Sequence, residues 1–349
     1  MKKFSLVILL LITLIFSASS QDMHFSQFYM APINNNPGNV GAFNGTVRVY
    51  NLARMQWFTV TNPYKTFSLS ADGEIFRKRM ERLHKIDYFS AGFNFNSDFQ
   101  AGNSRLKTTS YNALVSFTKF LGGRQHHIIT LGYEIGYATR SAALGGLTWD
   151  RQWDGEAYNA AWSSGEASGA STGFMDMSTG IVWNFRTDHL FRSALGFSMQ
   201  HFTAPHYSLD GSNDKLYPRL GTQLNMNFKL SETSNTTIEP SILVAQQGPT
   251  LLLDIGTGIK YVLNDHSHYT SRNRDEAVHI GIYYRYRDAA FVAFRVDYGA
   301  VSGSLAYDIN ISGLTPVSHS VGSLELAIIY RGIFGHHIES TRVSKVFMN

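Results

Sequence analysis

The chain contains no cysteine. That absence excludes disulfides, thiolate metal sites, a cysteine nucleophile and a lipid-bearing cysteine at a signal junction. Past the first twenty residues there is also no long apolar run, so no helix of about 20 apolar residues is available to span a bilayer. Charge is scarce as well: Asp, Glu, Lys and Arg make up only 16% of the residues. The 30 Lys and Arg, less Lys2 and Lys3, leave 28 against 26 Asp and Glu, a formal charge of +2. With basic residues scattered singly, no face resembles a nucleic-acid footprint. A phosphate-cradling glycine loop, a dinucleotide fingerprint and the H-E-x-x-H metalloprotease pattern are missing too.

What is present begins with an export signal. Lys2 and Lys3 precede an apolar run from Leu6 to Phe16 that is interrupted only by Thr13, and Ala18 and Ser20 stand at the minus-three and minus-one positions before Gln21. Residues 1–20 are therefore read as a cleaved signal, with cleavage before Gln21. The run is too short for a membrane anchor. An exported chain without cysteine suits a bacterial envelope.

From Gly45 onward the pattern has period two, the spacing of side chains along a strand. In "HIGIYYRYR" Ile280, Ile282, Tyr284 and Tyr286 share one face, opposite His279, Gly281, Tyr283, Arg285 and Arg287. In "FVAFRVDYG" Val292, Phe294, Val296 and Tyr298 oppose Ala293, Arg295 and Asp297. "LAYDINI" sets Leu305, Tyr307, Ile309 and Ile311 against Ala306, Asp308 and Asn310, and "SLELAIIY" sets Leu324, Leu326, Ile328 and Tyr330 opposite Glu325. About fourteen such segments, separated by Gly, Asn, Asp or Pro, are expected near 45–57, 64–75, 87–98, 108–119, 127–139, 174–186, 189–202, 216–229, 235–246, 250–261, 278–287, 290–299, 302–310 and 320–331.

The second face decides the solvent. A soluble sandwich or jelly roll would cover it with charge, whereas here it carries Gly, Ala, Ser, Asn and sparse paired charge. A barrel in lipid needs an apolar outside and tolerates a wet lumen. Aromatics toward segment ends, as in "YFSAGFNF", fit interfacial girdles. Expected, then, is an all-β transmembrane antiparallel barrel of about 14 strands over residues 45–331, with a C-terminal tail over 332–349. Short links such as "RDAA" and "RTDH" fit turns, and Ser141 to Thr172 reads as a long loop. The basic stretch "FRKRMERLHK", Phe76 to Lys85, reads as a solvated connection.

Catalytic and metal patterns were weighed against this frame. "GASTG", Gly169 to Gly173, matches G-x-S-x-G but is read as part of the loop, without the strand before and helix after that a nucleophile elbow needs. His126 and His127, His266 and His268, and His336 and His337 lack the helical i, i+4 spacing of a zinc site. "WDRQWDGEAY" gathers Asp150, Asp154 and Glu156 but lacks the alternating register of a calcium loop. No catalytic residue, cofactor or metal site is expected.

The segment before the first strand remains. "DMHFSQFYMAPINNNPGNVG" followed by "GTVRVYNLARMQW" is similar to the N-terminal signature of the PorP/SprF family of outer-membrane proteins, which are tied to type IX secretion and gliding motility in Bacteroidetes. The matching residues are Asp22, His24, Phe25, Ser26, Gln27, Phe28, Tyr29, Asn36, Pro37, Gly41, Arg54, Gln56 and Trp57. "LTWDRQWDGEAY" and "YDINIS" with "GSLELAIIY" resemble later family blocks. "NNPGNVG" stands where the family has Leu-Asn-Pro-Ala, and "NLARMQW" lacks the aromatic before the arginine.

The resemblance implies a non-enzymatic outer-membrane component of a Gram-negative bacterium. Its partners would be a type IX ring protein on the periplasmic side, or a secreted cargo with a C-terminal sorting domain. Residues 21–44 are read as a plug or strap, because Phe25, Phe28 and Tyr29 need burial and Asn36-Pro37 makes a turn. The alternative is a substrate-specific porin or FadL-like channel, whose polar lining would include Arg285, Arg287, Arg295, Asp297 and Asp308.

Overall fold

The structure is a computed structural model. It describes residues 22–332, apart from 60–62, 76–86, 101–104, 123–125, 144–147, 160, 164, 166–168, 188–189, 210–211, 265–275 and 314. The signal segment, the basic connection, His266, His268 and the tail from 333 onward lie outside the described residues.

Alternation becomes strand wherever it was read. The strands are β1 (Val47–Gln56), β2 (Tyr64–Ile75), β3 (Tyr88–Gln100), β4 (Leu106–Leu121), β5 (His127–Ala143), β6 (Gly169–Thr187) and β7 (Phe191–Gln200), followed by β8 (Arg219–Lys229), β9 (Thr236–Gln247), β10 (Thr250–Asn264), β11 (Glu276–Arg285), β12 (Ala289–Tyr298), β13 (Val301–Asn310) and β14 (Val321–Gly332). Each pairs antiparallel with its sequence neighbours, and β1 closes on β14 from Val47 opposite Gly332 to Gln56 opposite Ser323. Closure leaves no edge strand, the condition for β structure in hydrocarbon.

The faces are inverted relative to a soluble protein. Along β5, Leu131, Tyr133, Ile135 and Tyr137 are exposed on the outside while Ile128, Thr130, Gly132, Glu134, Gly136 and Ala138 are buried inside. On β11 the same rule exposes Ile280 and Ile282 and buries His279, Tyr283 and Arg285. Outward aromatics gather near the strand ends. Phe191 lies 4.8 Å from Phe228 and 6.1 Å from Phe185, and His127 stacks on Trp183 at 5.8 Å.

The links separate the two mouths of the barrel. The longest, 144–168 and 201–218, share one mouth, here the loop end. The opposite mouth, the turn end, carries the tight links 122–126, 188–190 and 299–300, the start of β1 and the end of β14.

Two expectations are corrected. β6 begins at Gly169, so "GASTG" is strand: Ala143 of β5 pairs with Gly169, and the hairpin continues past the point where β7 stops pairing with β6 at Thr179. Small residues were read as loop, but a ladder is made by the backbone and needs no large side chain. Arg287 does not line the lumen. It sits exposed in the turn after β11 with φ of 60°, its guanidinium 5.1 Å from the Tyr286 ring.

Ile280 lies midway along β11 and is 56% exposed on the outer face. Ile280→Arg is expected to lower unfolding free energy in liposomes by about 2–4 kcal/mol, the cost of a cation at bilayer mid-depth. Denaturant titration of the reconstituted protein measures it, and a cost near zero would mean that this face does not meet lipid.

Candidate functional site: the plugged lumen

Residues before Gly45 run through the barrel from the loop end to the turn end. Local chemistry shapes the path. Phe28–Met30 form one 3-10 turn, Pro32–Asn35 one helical turn opened by a proline whose missing N–H would have no partner there anyway, and Pro37–Asn39 a second 3-10 turn. Asn36 caps that last turn, its Oδ1 accepting from the Gly38 N–H at 2.7 Å. Its Nδ2 donates to the Ile181 and Phe197 carbonyls of the wall at 3.2 and 3.1 Å. The approach requires glycine: a Cβ on Gly180 would stand 2.0 Å from Asn36 Oδ1, and one on Gly132 would stand 2.1 Å from the Pro37 carbonyl oxygen.

Apolar side chains fill the middle of the lumen. Phe25, Met30, Ile33 and Val40 pack with Tyr50 and Leu52 of β1 and Ile329 of β14, while Phe28 meets Tyr283 and Phe291. Tyr29 stacks on Tyr283 with centroids 5.4 Å apart. Each such burial is worth about 1.5–3 kcal/mol.

Charge fixes the register of the plug against the wall. The backbone N–H groups of Ser26 and Gln27 donate to the two carboxylate oxygens of Glu325 at 2.6 and 3.0 Å. The Ser26 hydroxyl donates to Asp308 at 2.6 Å and accepts from Arg285 at 2.9 Å. Arg285 is 2.9 Å from Asp254 and 3.3 Å from Asp308, and Arg54 is 3.3 Å from Glu325 and 3.6 Å from Asp308. Arg54 also donates to the His24 carbonyl at 2.6 Å. Three buried carboxylates thus face two guanidiniums, with the more exposed Asp288 also 3.4 Å from Arg285, and the N–H and hydroxyl donors of the plug supply the remaining stabilisation. Gln27 adds a hydrogen bond from Ser304 to its Oε1. Burial, with Arg54, Arg285 and Arg219 nearby, holds the His24 imidazole well below its ordinary pKa, and the ring stays neutral.

A second clamp closes the turn end. Arg48 of β1 pairs with Asp72 of β2 through two contacts of 2.9 and 2.8 Å, and both side chains are buried. Asp72 accepts from the Gly41 N–H at 2.7 Å, and Arg48 donates to the Asn39 carbonyl at 2.9 Å while lying 4.6 Å over the Phe43 ring.

A third sits at the loop end. His201, just past β7, reaches Asp22 at 2.8 Å through one ring nitrogen and Asp176 at 2.5 Å through the other, with Arg219 3.8 Å from Asp22. Burial works against a charged imidazole, but Asp22 and Asp176 outweigh it and push His201 up to about 10. Burial likewise opposes a charged Asp22, yet His201 and Arg219 bring it down to about 2.

Of the residues singled out in the sequence, Asp22, His24, Phe25, Ser26, Gln27, Phe28, Tyr29, Asn36, Pro37 and Arg54 come together in this lumenal assembly. Gln56 and Trp57 do not. Gln56 ends β1, and Trp57 turns at the loop-end rim with φ of 53°, edge-on to Tyr64 at 5.2 Å. Sequence reasoning missed Arg48, Asp72 and His201 as partners of the plug, and Asp176 and Asp254 as the wall carboxylates behind His201 and Arg285. Most are charges at inward positions of alternating strands, a signal that marks the face but not the pairing. The other flagged features lie elsewhere. Asp154 Oδ1 accepts from the Glu156 and Ala157 N–H groups within the 144–168 link. No group of three His, Asp or Glu residues placed to hold a metal occurs among the described residues.

Comparison with known proteins extends this picture. A family model described as type IX secretion system membrane protein PorP/SprF matches residues 17–330. No match was found among curated proteins. Among solved structures, a deltaS2S3 mutant of the TodX monoaromatic hydrocarbon channel aligns with a TM-score of 0.50 and 9% identity, over 87% of this chain and 94% of that one. The Pseudomonas putida toluene transporter TodX aligns with a TM-score of 0.48 and 8% identity, over 90% and 96% of the two chains. At these identities the first likeness is one of fold, that of an outer-membrane barrel.

Two outcomes follow from the clamps. Arg48→Met leaves Asp72 buried without its cation and is expected to cost about 3–5 kcal/mol in a guanidinium titration of the reconstituted protein; a loss under about 1 kcal/mol would show that the pair carries no register. His201 is raised above its ordinary 6.5, so its contribution is complete below that value and lost as pH rises through about 10. Asp22 is lowered from 3.8, so its contribution is complete above that value and lost as pH falls through about 2. A spin label on Met23→Cys, unique in a chain without cysteine, is expected to be immobile near neutrality and to gain mobility above about pH 10. In a His201→Ala background it should be mobile at every pH, and equal mobility with and without His201 would overturn the latch.

Proposed function

The chain belongs to the PorP/SprF family of type IX secretion system membrane proteins, and from that premise we propose that it works as a non-enzymatic outer-membrane component of that system. In this reading it binds a periplasmic component of the machine, or a secreted cargo through the cargo's C-terminal sorting domain. One observation carries it: the lumen is crossed by a segment tied to the wall at the loop end through Asp22 and His201, in the middle through Ser26 and Gln27 on Glu325 and Asp308, and at the turn end through Gly41 and Asn39 on Asp72 and Arg48. A path for solute would require breaking several buried charged contacts at once, each loss costing kcal/mol rather than tenths. A barrel fixed in this way offers its rims and links for binding.

The orientation we propose follows the rule that outer-membrane barrels keep short turns in the periplasm and long loops outside. The turn end then faces the periplasm together with the end of β14, and the links 144–168 and 201–218 face outward. Residues 1–20 act as the export signal and are removed before Gln21, 21–44 are the strap, and 332–349 are a C-terminal tail.

Affinity purification of the tagged protein from its own outer membrane in mild detergent, followed by mass spectrometry, is expected to bring down type IX ring proteins or a large secreted protein with a C-terminal sorting domain. Planar bilayers holding the pure protein should stay silent. Recovery of the barrel alone, together with steady single-channel steps, would instead support the substrate-specific channel.

A further inference from the structure

Two cavities beside the plug share no lining residue and lie one toward each mouth. The loop-end cavity is bordered by Asp22, Asp176 and His201 and belongs to the latch already described. The turn-end chamber is separate. Phe28 and Tyr29 of the plug roof it, and its walls come from β6 through β12, with Arg331 of β14. It exists because the wall there is built of small residues: Ala194, Ser241, Gly258, Gly281 and Ala293 all line it. Tyr283 lies flat against the wall, since a Cβ on Gly256 would meet its ring at 2.2 Å and one on Gly281 at 2.6 Å.

The chamber's charges do not balance. Glu239 and Asp297 are taken up locally: they hold the two ring nitrogens of His279 at 3.0 and 2.6 Å, and Arg295 lies 3.7 Å from Glu239 and 3.3 Å from Asp297. Arg331 is 3.9 Å from Asp297 and donates to Ser302. Lys260, half-buried on β10, makes no hydrogen bond or ion pair within 4 Å among the described residues and meets the fields of Glu239 and Asp297 only at longer range. Three cations, Lys260, Arg295 and Arg331, against two anions, Glu239 and Asp297, leave one positive charge. A pocket with that surplus attracts an anion.

Two orphaned polar atoms add a second requirement. Asn184 is only 6% exposed, and its Nδ2 has no hydrogen-bond partner. Asn225 Oδ1 is likewise buried without one. Both residues line the chamber, on strands flanking Ala194, which pairs with each of them. One unused donor and one unused acceptor, held about 9–10 Å apart at the backbone across a small residue, are the complement of a secondary amide. Buried amides left unsatisfied are costly, and a ligand is one way to satisfy them. Lys260 lies nearer the turn end, two strands across from Asn225 and four residues beyond the level of its partner Ser241, roughly 16 Å away at the backbone, a gap that the two side chains together with an extended molecule of three peptide units, at about 3.3–3.6 Å per residue, bridge.

We propose that the turn-end chamber binds a small extended carboxylate carrying amide groups, the chemistry of a short peptide with a free C-terminus, with Lys260 holding the carboxylate and Asn184 and Asn225 an amide. This site does not depend on the secretion reading: a channel or a docking barrel with the same lumen would bind the same ligand.

The test is calorimetric titration of the full mature protein in detergent with acetyl-Ala-Ala-Ala as the free acid and as the C-terminal amide. The acid is expected to bind at least about tenfold more tightly than the amide, the effect of one charge-assisted hydrogen bond. Lys260→Met should remove that preference, Lys260→Arg should keep it, and Asn184→Leu should weaken both forms about equally. Appending the same three residues to a folded carrier protein separates the sources: binding of both assigns chain ends as ligands, and binding of the free tripeptide alone assigns free peptides. Absence of binding by the acid, equal binding of acid and amide to the unaltered protein, or a preference that survives Lys260→Met in a protein that still migrates as a folded barrel would each overturn the proposal.

Discussion

Everything inside this barrel depends on how three carboxylates and two guanidiniums are kept in a lumen that bulk water scarcely reaches. Asp254, Asp308 and Glu325 would be prohibitively costly alone, and Arg54 and Arg285 do not neutralise them completely. The deficit is met by the N–H groups of Ser26 and Gln27 and by the Ser26 hydroxyl. The plug is therefore a partner in the electrostatics of the wall. Remove it and the wall is left with unmatched charge; loosen the wall and the plug loses the anchors that set its register.

The same dependence explains why the plug's sequence is so particular. Ser26 must be small and must both donate and accept, since its hydroxyl lies between Asp308 and Arg285. Asn36 must place an acceptor toward its own backbone and two donor hydrogens toward two different strands, which an aspartate could not do. Gly132 and Gly180 are the reciprocal features of the wall, left bare where the plug's backbone and amide come closest.

The sequence made the barrel legible because its two solvents impose opposite chemistries on adjacent residues. Leu131 and Tyr133 alternate with Gly132 and Glu134, and that period survives any choice of register. Strand count followed from the same signal, whereas the start of β6 did not, because Gly169 to Ser171 carry no apolar contrast to read. The plug's own residues stood out through the family resemblance and through aromatics that needed burial. Their wall partners did not. Nothing in "VRVYN" ties Arg48 to Asp72, and nothing after β7 ties His201 to Asp22, since contacts between a strap and a wall have no sequence period. The unbalanced charge around Lys260 was hidden for the same reason: it is a sum over residues drawn from four strands.

The strap also sets the order in which the protein can be made. Asp22 lies at one mouth and Gly45 at the other, while the seam between β1 and β14 joins the first strand to the last. A closed cylinder cannot easily admit an ionic, three-turn segment threaded end to end. The strap must lie along the inner face of the growing sheet before the seam zips, with Gly41 and Asn39 already gripped by the β1–β2 hairpin through Asp72 and Arg48. Closure of the last strand is thus a wrapping event around a thread that the first hairpin already holds in the finished barrel.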